Sequence, residues 1–223
     1  MRKEISEKTL ELNVCAELLP LIRSIPGCSR TFWFGMKQDQ EARNGIDELI
    51  ANVPRAMHIM LQFKSPNAKP RGGNRLVYSL NERQHDNLLR TAQPRPQGVF
   101  YVLPHLNTMM GLKAAAPSLL KQTWALPVAS LGPLSGSPSG RHRVESAPPN
   151  CTVFSEAHEA SLLPIAAVLA TSIAAAQDQS AASRGPLTGE EVRELVDRIE
   201  ESAAGNRNRL GQSLRGLADI VLP

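Results

Sequence analysis

The chain has 223 residues, 42% of them hydrophobic and 21% charged, a balance that suits a folded globular protein and argues against a disordered one. Its formal charge of +4 permits a nucleic-acid partner without requiring one. Three cysteines, Cys15, Cys28 and Cys151, show no CxxC-type pairing, so reduced intracellular thiols are expected ahead of a disulfide framework or a zinc site.

Residues 6 to 23 predict an amphipathic helix with Ser6 as its cap. Pro26-Gly27 should end it, and the segment Arg30 to Met36 predicts a short aromatic strand. After the polar turn QDQEARNG comes a second strand, Ile46 to Asn52, and after Val53-Pro54-Arg55 a third, His58 to Phe63. The following loop, SPNAKPRGGNR, holds Lys69, Arg71 and Arg75 among its prolines and glycines. A short strand at Leu76 to Tyr78 and a helix at Glu82 to Ala92 lead to Gly98–Leu103, an unbroken apolar strand bounded by turn residues.

Beyond Leu106 the pattern is less regular. Leu112 to Leu120 reads as helix, Thr123 to Leu131 as extended chain, and Thr152 to Phe154 as one more strand after the Gly/Ser/Pro stretch GPLSGSPSGRHR. An alanine-rich helix is expected from Glu159 to Ser183, then a charged helix opened by the capping pattern Thr188-Gly-Glu-Glu191, then a short one near Leu210 to Ile220. The longest apolar run, Leu162 to Ala176, contains Pro164 and falls short of the roughly 20 residues of a membrane span. Glu4, Glu7 and Glu11 interrupt any secretory segment after Arg2 and Lys3. A cytoplasmic protein with no membrane partner is therefore expected.

The expected class is α/β. Within it, four residues attract chemical interest. With successive helical residues turned by about 100° and Leu10 as zero, the first helix's apolar arc spans about 0° to 200° and Glu11 falls near its middle. A carboxylate there is either paired on a buried face or exposed in a frayed first turn, where acids suit the helix dipole. Asp47 follows Gly45 by two residues and is an ordinary turn former if taken alone. Gln62 and Lys64 alternate with Leu61 and Phe63, so they share one face of the third strand, either a solvated edge or a reaction site.

Together, a helical glutamate, an aspartate at a strand, and an amide two residues before a lysine resemble the PD-(D/E)xK nuclease superfamily. The resemblance covers residues 6 to 106 and includes the order helix, three-stranded meander, helix, strand of a restriction-endonuclease-like core. It implies a Mg²⁺- or Mn²⁺-dependent nuclease, with DNA expected ahead of RNA. By the same resemblance Asp47 is the first metal ligand, Gln62 takes the place of the second acid, Lys64 that of the lysine, and Glu11 that of the helical glutamate. An acid is commoner at Gln62; an amide oxygen can ligate a hard cation but brings no charge.

Lys69, Arg71 and Arg75 would position a nucleic-acid backbone, and Gln84 a phosphate or a ligand water; the plain reading of each is a polar surface. The implied organisation is a nuclease-like core at 1–132, a Gly/Ser/Pro-rich connection with an added strand at 133–158, and a helical region at 159–223, which could also serve a homodimer. A nuclease-fold protein that binds nucleic acid or assembles with proteins without cleaving is the alternative. His105, His142 and His158 have no ligand spacing, Ser155 and His158 no nucleophile-elbow context, and Gly72-Gly73 no phosphate-loop ending.

Overall fold

A computed structural model describes residues 4–25, 27–35, 48–53, 57–67, 75–93, 98–155 and 158–177. The first helix, α1 (Glu7–Arg23), starts where expected: the Ser6 hydroxyl accepts from the Thr9 amide at 3.0 Å. Leu10, Val14, Leu18 and Ile22, four residues apart, are all fully buried. That stripe fastens α1 to a sheet, each such side chain contributing about 1.5–3 kcal/mol of transfer free energy.

The sheet begins as an antiparallel meander of β1 (Phe32–Gly35), β2 (Glu48–Val53) and β3 (Met57–Phe63). Beside β3, and parallel to it, lies β5 (Val99–Pro104); β6 (Thr123–Pro127) and the two-residue β10 (Leu163–Pro164) complete the order β1-β2-β3-β5-β6-β10. Both faces are covered, which is why β5 is apolar throughout. On one face Ile59, Leu61, Phe63 and Val102 pack against α1 and α4 (Ile165–Gln177).

On the other face Met60, Tyr101 and Leu103 pack against α2 (Glu82–Ala92) and a second sheet, which is antiparallel throughout. Its order is β4 (Leu76–Asn81), β7 (Arg141–Ala147), β8 (Asn150–Val153) and β9 (His158–Ser161). Tyr78, Leu80, Val144, Cys151 and Val153 point inward from it. A smaller cluster of Ile5, Leu10, Leu106 and Leu112 joins the start of α1 to α3 (Met109–Ala115).

Several elements differ from the sequence reading. The strand at Leu76 continues to Asn81 and leaves the meander for the second sheet. Chain expected to hold one strand near Thr152 forms the β7–β8 hairpin; His142 and Ser146 occupy its inward positions, and those polar residues hide the strand pattern. The stretch expected as helix at 112–120 is α3 followed by a 3₁₀ turn at Leu119–Gln122, and the extended stretch ends in a second 3₁₀ turn at Val128–Leu131. The alanine-rich helix begins at Ile165, because Pro164 drives Leu163 to an extended conformation and β9 and β10 precede it. The charged helix after Thr188 and the last helix lie outside the described residues. Among the described residues no helix is long and apolar enough to cross a membrane.

Candidate functional site

Lys64 directly follows β3 and is buried. An ammonium out of water is costly unless partnered, and its partners come from both flanking helices. Nζ donates to Oε1 of Gln84 on α2 at 2.9 Å, and a carboxylate oxygen of Glu7 on α1 lies 4.0 Å away. Gln84 is set in place by the helix start: Oδ1 of the cap Asn81 accepts from its backbone amide at 3.0 Å.

The backbone around Lys64 is held as firmly. Its amide donates to the Val102 carbonyl at 3.0 Å, extending the parallel β3–β5 pairing by one residue. The next amide, of Ser65, donates to the other oxygen of Glu7 at 3.4 Å, and the Ser65 hydroxyl donates to the carbonyl of Ile5. Glu7 thus contacts both an ammonium and a backbone N–H at the carboxyl end of β3. Ligands of open α/β sheets bind outside such strand ends.

Gln62 is buried on the face of β3 shared with Met60, in register with Tyr101 of β5. Its amide nitrogen donates to the Phe63 carbonyl at 3.2 Å. Glu11 is buried, 5% exposed, despite its charge, and pairs with the ammonium of Lys8, whose side chain is 64% exposed. The paired-and-buried alternative for Glu11 is the one observed.

The structure therefore brings together Lys64 and Gln84, two of the residues singled out from sequence, and adds Glu7, which the sequence reading passed over. A signal for Glu7 existed. By the same steps of about 100° it falls at about 60°, inside the apolar arc and one turn from Glu11. Asp47, Lys69 and Arg71 lie outside the described residues. Arg75 is 61% exposed and bonds Glu145 at 3.1 Å, on the second sheet.

Two further polar groupings lie beneath α2. His85 accepts from or donates to the Tyr101 hydroxyl at 3.1 Å through Nδ1 and meets the Gly132 carbonyl at 2.7 Å through Nε2. Because a carbonyl only accepts, the Nε2–H tautomer satisfies both contacts, with Tyr101 donating. Burial pushes the His85 pKa down, against a weaker upward pull from the Gly132 bond, so the ring is a neutral strut. His142, fully buried, meets the Ser155 hydroxyl at Nδ1 and a carboxylate oxygen of Glu82 3.4 Å from Nε2. Serine, imidazole and carboxylate in a row suggest a proton relay, but a fully buried ring has no edge to offer a leaving group. His158 instead meets the Ser130 carbonyl at 3.0 Å. Burial pushes the Cys151 thiol up to about 11, which removes it as a nucleophile at neutral pH.

Among the described residues no three His, Cys, Asp or Glu side chains group as a metal site. Comparison with protein-family models, curated proteins and solved structures finds no match to this chain.

Proposed function

We propose that this protein is a PD-(D/E)xK-like, Mg²⁺-dependent nuclease with a restriction-endonuclease-like core, acting on DNA ahead of RNA. The observation that carries the reading is the setting of Lys64. A buried ammonium at the end of β3 stands two residues after Gln62, with a carboxylate from α1 and an amide from α2 turned toward it. The antiparallel β1–β2–β3 meander with β5 parallel to β3 supports the same reading.

The donors present are hard oxygens, the carboxylates of Glu7 and Glu11 and the amide of Gln62, and these suit Mg²⁺ or Mn²⁺ better than a softer metal. Asp47 joins them by the sequence argument. Such a cation supplies charge neutralisation at the phosphate and a more acidic water. The protein's own part falls to Lys64, which stabilises charge developing on a phosphate oxygen and orients the attacking water. Gln84 holds that ammonium in one position, so little reorganisation is needed when a substrate arrives.

A second reading, a non-cleaving nuclease-fold protein that binds nucleic acid or assembles with proteins, is favoured by one feature. Two of the three α1 carboxylates already face lysines, Glu11 with Lys8 and Glu7 with Lys64, the third, Glu17, accepts from the Leu120 amide, and Gln62 adds no charge. The deciding experiment incubates the protein with plasmid, linear DNA, single-stranded DNA and RNA, with Mg²⁺ or Mn²⁺. Cation-dependent cleavage that Asp47→Ala abolishes supports the nuclease. Intact substrates in every condition support the non-cleaving reading.

A further inference from the structure

The outer face of the second sheet has no place in the site just described. Strand alternation brings Ser79 and Asn81 of β4, Arg141, Arg143 and Glu145 of β7 and Thr152 of β8 to that side. Arg143 stands opposite Ser79, Arg141 opposite Asn81, and Glu145 between Val77 and Thr152. Phe154 continues from β8; its amide donates to the Arg143 carbonyl at 3.0 Å, and the Arg143 guanidinium carbon lies 4.4 Å from its ring centre.

Phe154 is 50% exposed even with a guanidinium over one ring face, so apolar ring surface remains open to water. Among the described residues it is the only aromatic that is exposed in this way. Arg143 is not loose: it donates to Glu145 at 2.7 Å, and the same carboxylate holds Arg75 at 3.1 Å. The result is a half-exposed ring with the Arg143 guanidinium over one face, the Glu145 carboxylate joining Arg143 to Arg75, and Ser79, Asn81, Arg141, Thr152 and Glu159 on the same side of the sheet.

That surround lacks the apolar centre a protein partner would need. A ring with adjacent guanidinium groups matches instead an unpaired base and its phosphates, because the base supplies a π-face and the backbone the negative charge. A duplex keeps its bases stacked and offers no such face.

We propose that the Phe154–Arg143 ledge is a stacking platform for single-stranded nucleic acid, with Phe154 receiving a base and Arg75, Arg141 and Arg143 facing the backbone. It gives the proposed nuclease a substrate class, a strand with an unpaired segment, and rests on that reading. The two fail separately, since binding is read in chelator and cleavage with divalent cation.

The test is fluorescence anisotropy of the full chain with labelled oligo(dT), oligo(U) and a duplex of about 15 nucleotides, all in EDTA. Tighter binding of either single strand than of duplex is expected. Phe154→Ala should weaken it about 5- to 150-fold, the span of 1–3 kcal/mol for a stacked base, with Phe154→Trp restoring it and Arg143→Ala also weakening it. Circular dichroism confirms that each variant is folded. Wild-type affinity in Phe154→Ala, a preference for duplex, or no binding of either single strand overturns the platform, even if metal-dependent cleavage is observed.

Discussion

The ammonium of Lys64 donates to Oε1 of Gln84 at 2.9 Å, so the end of β3 and the first turn of α2 are joined through a buried charge. Glu7, 4.0 Å from the same ammonium, brings α1 into the contact. Three elements separated in sequence meet at one cation, and the proposed chemistry depends on their staying together.

Glu7 is the residue on which this arrangement makes its most specific demand. Glu7→Gln keeps the size and the hydrogen-bonding oxygen but removes the charge facing Lys64. The cleavage rate should fall about 100-fold, with the far-ultraviolet circular dichroism unchanged. A variant as active as wild type would remove Glu7 from the site.

Gln62 offers the converse change. Gln62→Glu puts a carboxylate on the face of β3 that it shares with Lys64, in place of an amide that donates to the Phe63 carbonyl. Mn²⁺ affinity, read by electron paramagnetic resonance titration, should rise about tenfold, equivalent to 1.4 kcal/mol. Unchanged or weaker Mn²⁺ binding would mean that this position does not face the cation.

The packing account makes a contrast within α1. Leu18 is fully buried against the sheet, whereas Leu12 is 59% exposed. Leu18→Ala should cost about 2–5 kcal/mol in urea unfolding, and Leu12→Ala about 0.5 kcal/mol or less. Similar losses for the two would show that the helix is rotated from the orientation described.

Stability should also fall on mild acidification. Burial lowers the pKa of His85 from its ordinary 6.5, partly offset by the Gly132 bond. Burial likewise lowers that of His105, offset by a bond to the Ser146 backbone. A histidine with a lowered folded-state pKa stays neutral when folded while the unfolded chain takes up the proton. Its contribution is complete above about pH 6.5 and is lost as pH drops below that value. Urea midpoints should therefore fall from about pH 7.5 to about pH 5.5, less steeply in His85→Asn. A flat midpoint across that window would contradict the buried neutral ring. Glu145 acts in a lower window: burial would raise its pKa, but Arg143 and Arg75 hold it below 4.5, so its share is lost only under stronger acid.

The sequence made parts of this structure readable for physical reasons. Ser6, the four-residue spacing from Leu10 to Ile22, and the apolar run of β5 each follow a local rule, and each element forms where the rule places it. The α/β class follows from those elements. The β7–β8 hairpin was not readable, because its inward positions hold His142 and Ser146 and only tertiary contacts reward burying them. The partnership of Lys64 with Gln84, 20 residues on, could be named residue by residue but not as a contact. Glu7 was overlooked because a carboxylate in a first turn already has an ordinary explanation in the helix dipole.

The central claim, that Lys64 serves phosphodiester cleavage, is tested most directly by following conversion of supercoiled plasmid to nicked and linear forms with Mg²⁺ or Mn²⁺, for wild type and Lys64→Ala. The account predicts cleavage by the wild type that depends on the cation and is abolished in the folded variant. Cleavage by Lys64→Ala at the wild-type rate, or no cleavage by the wild type with either cation, would contradict it.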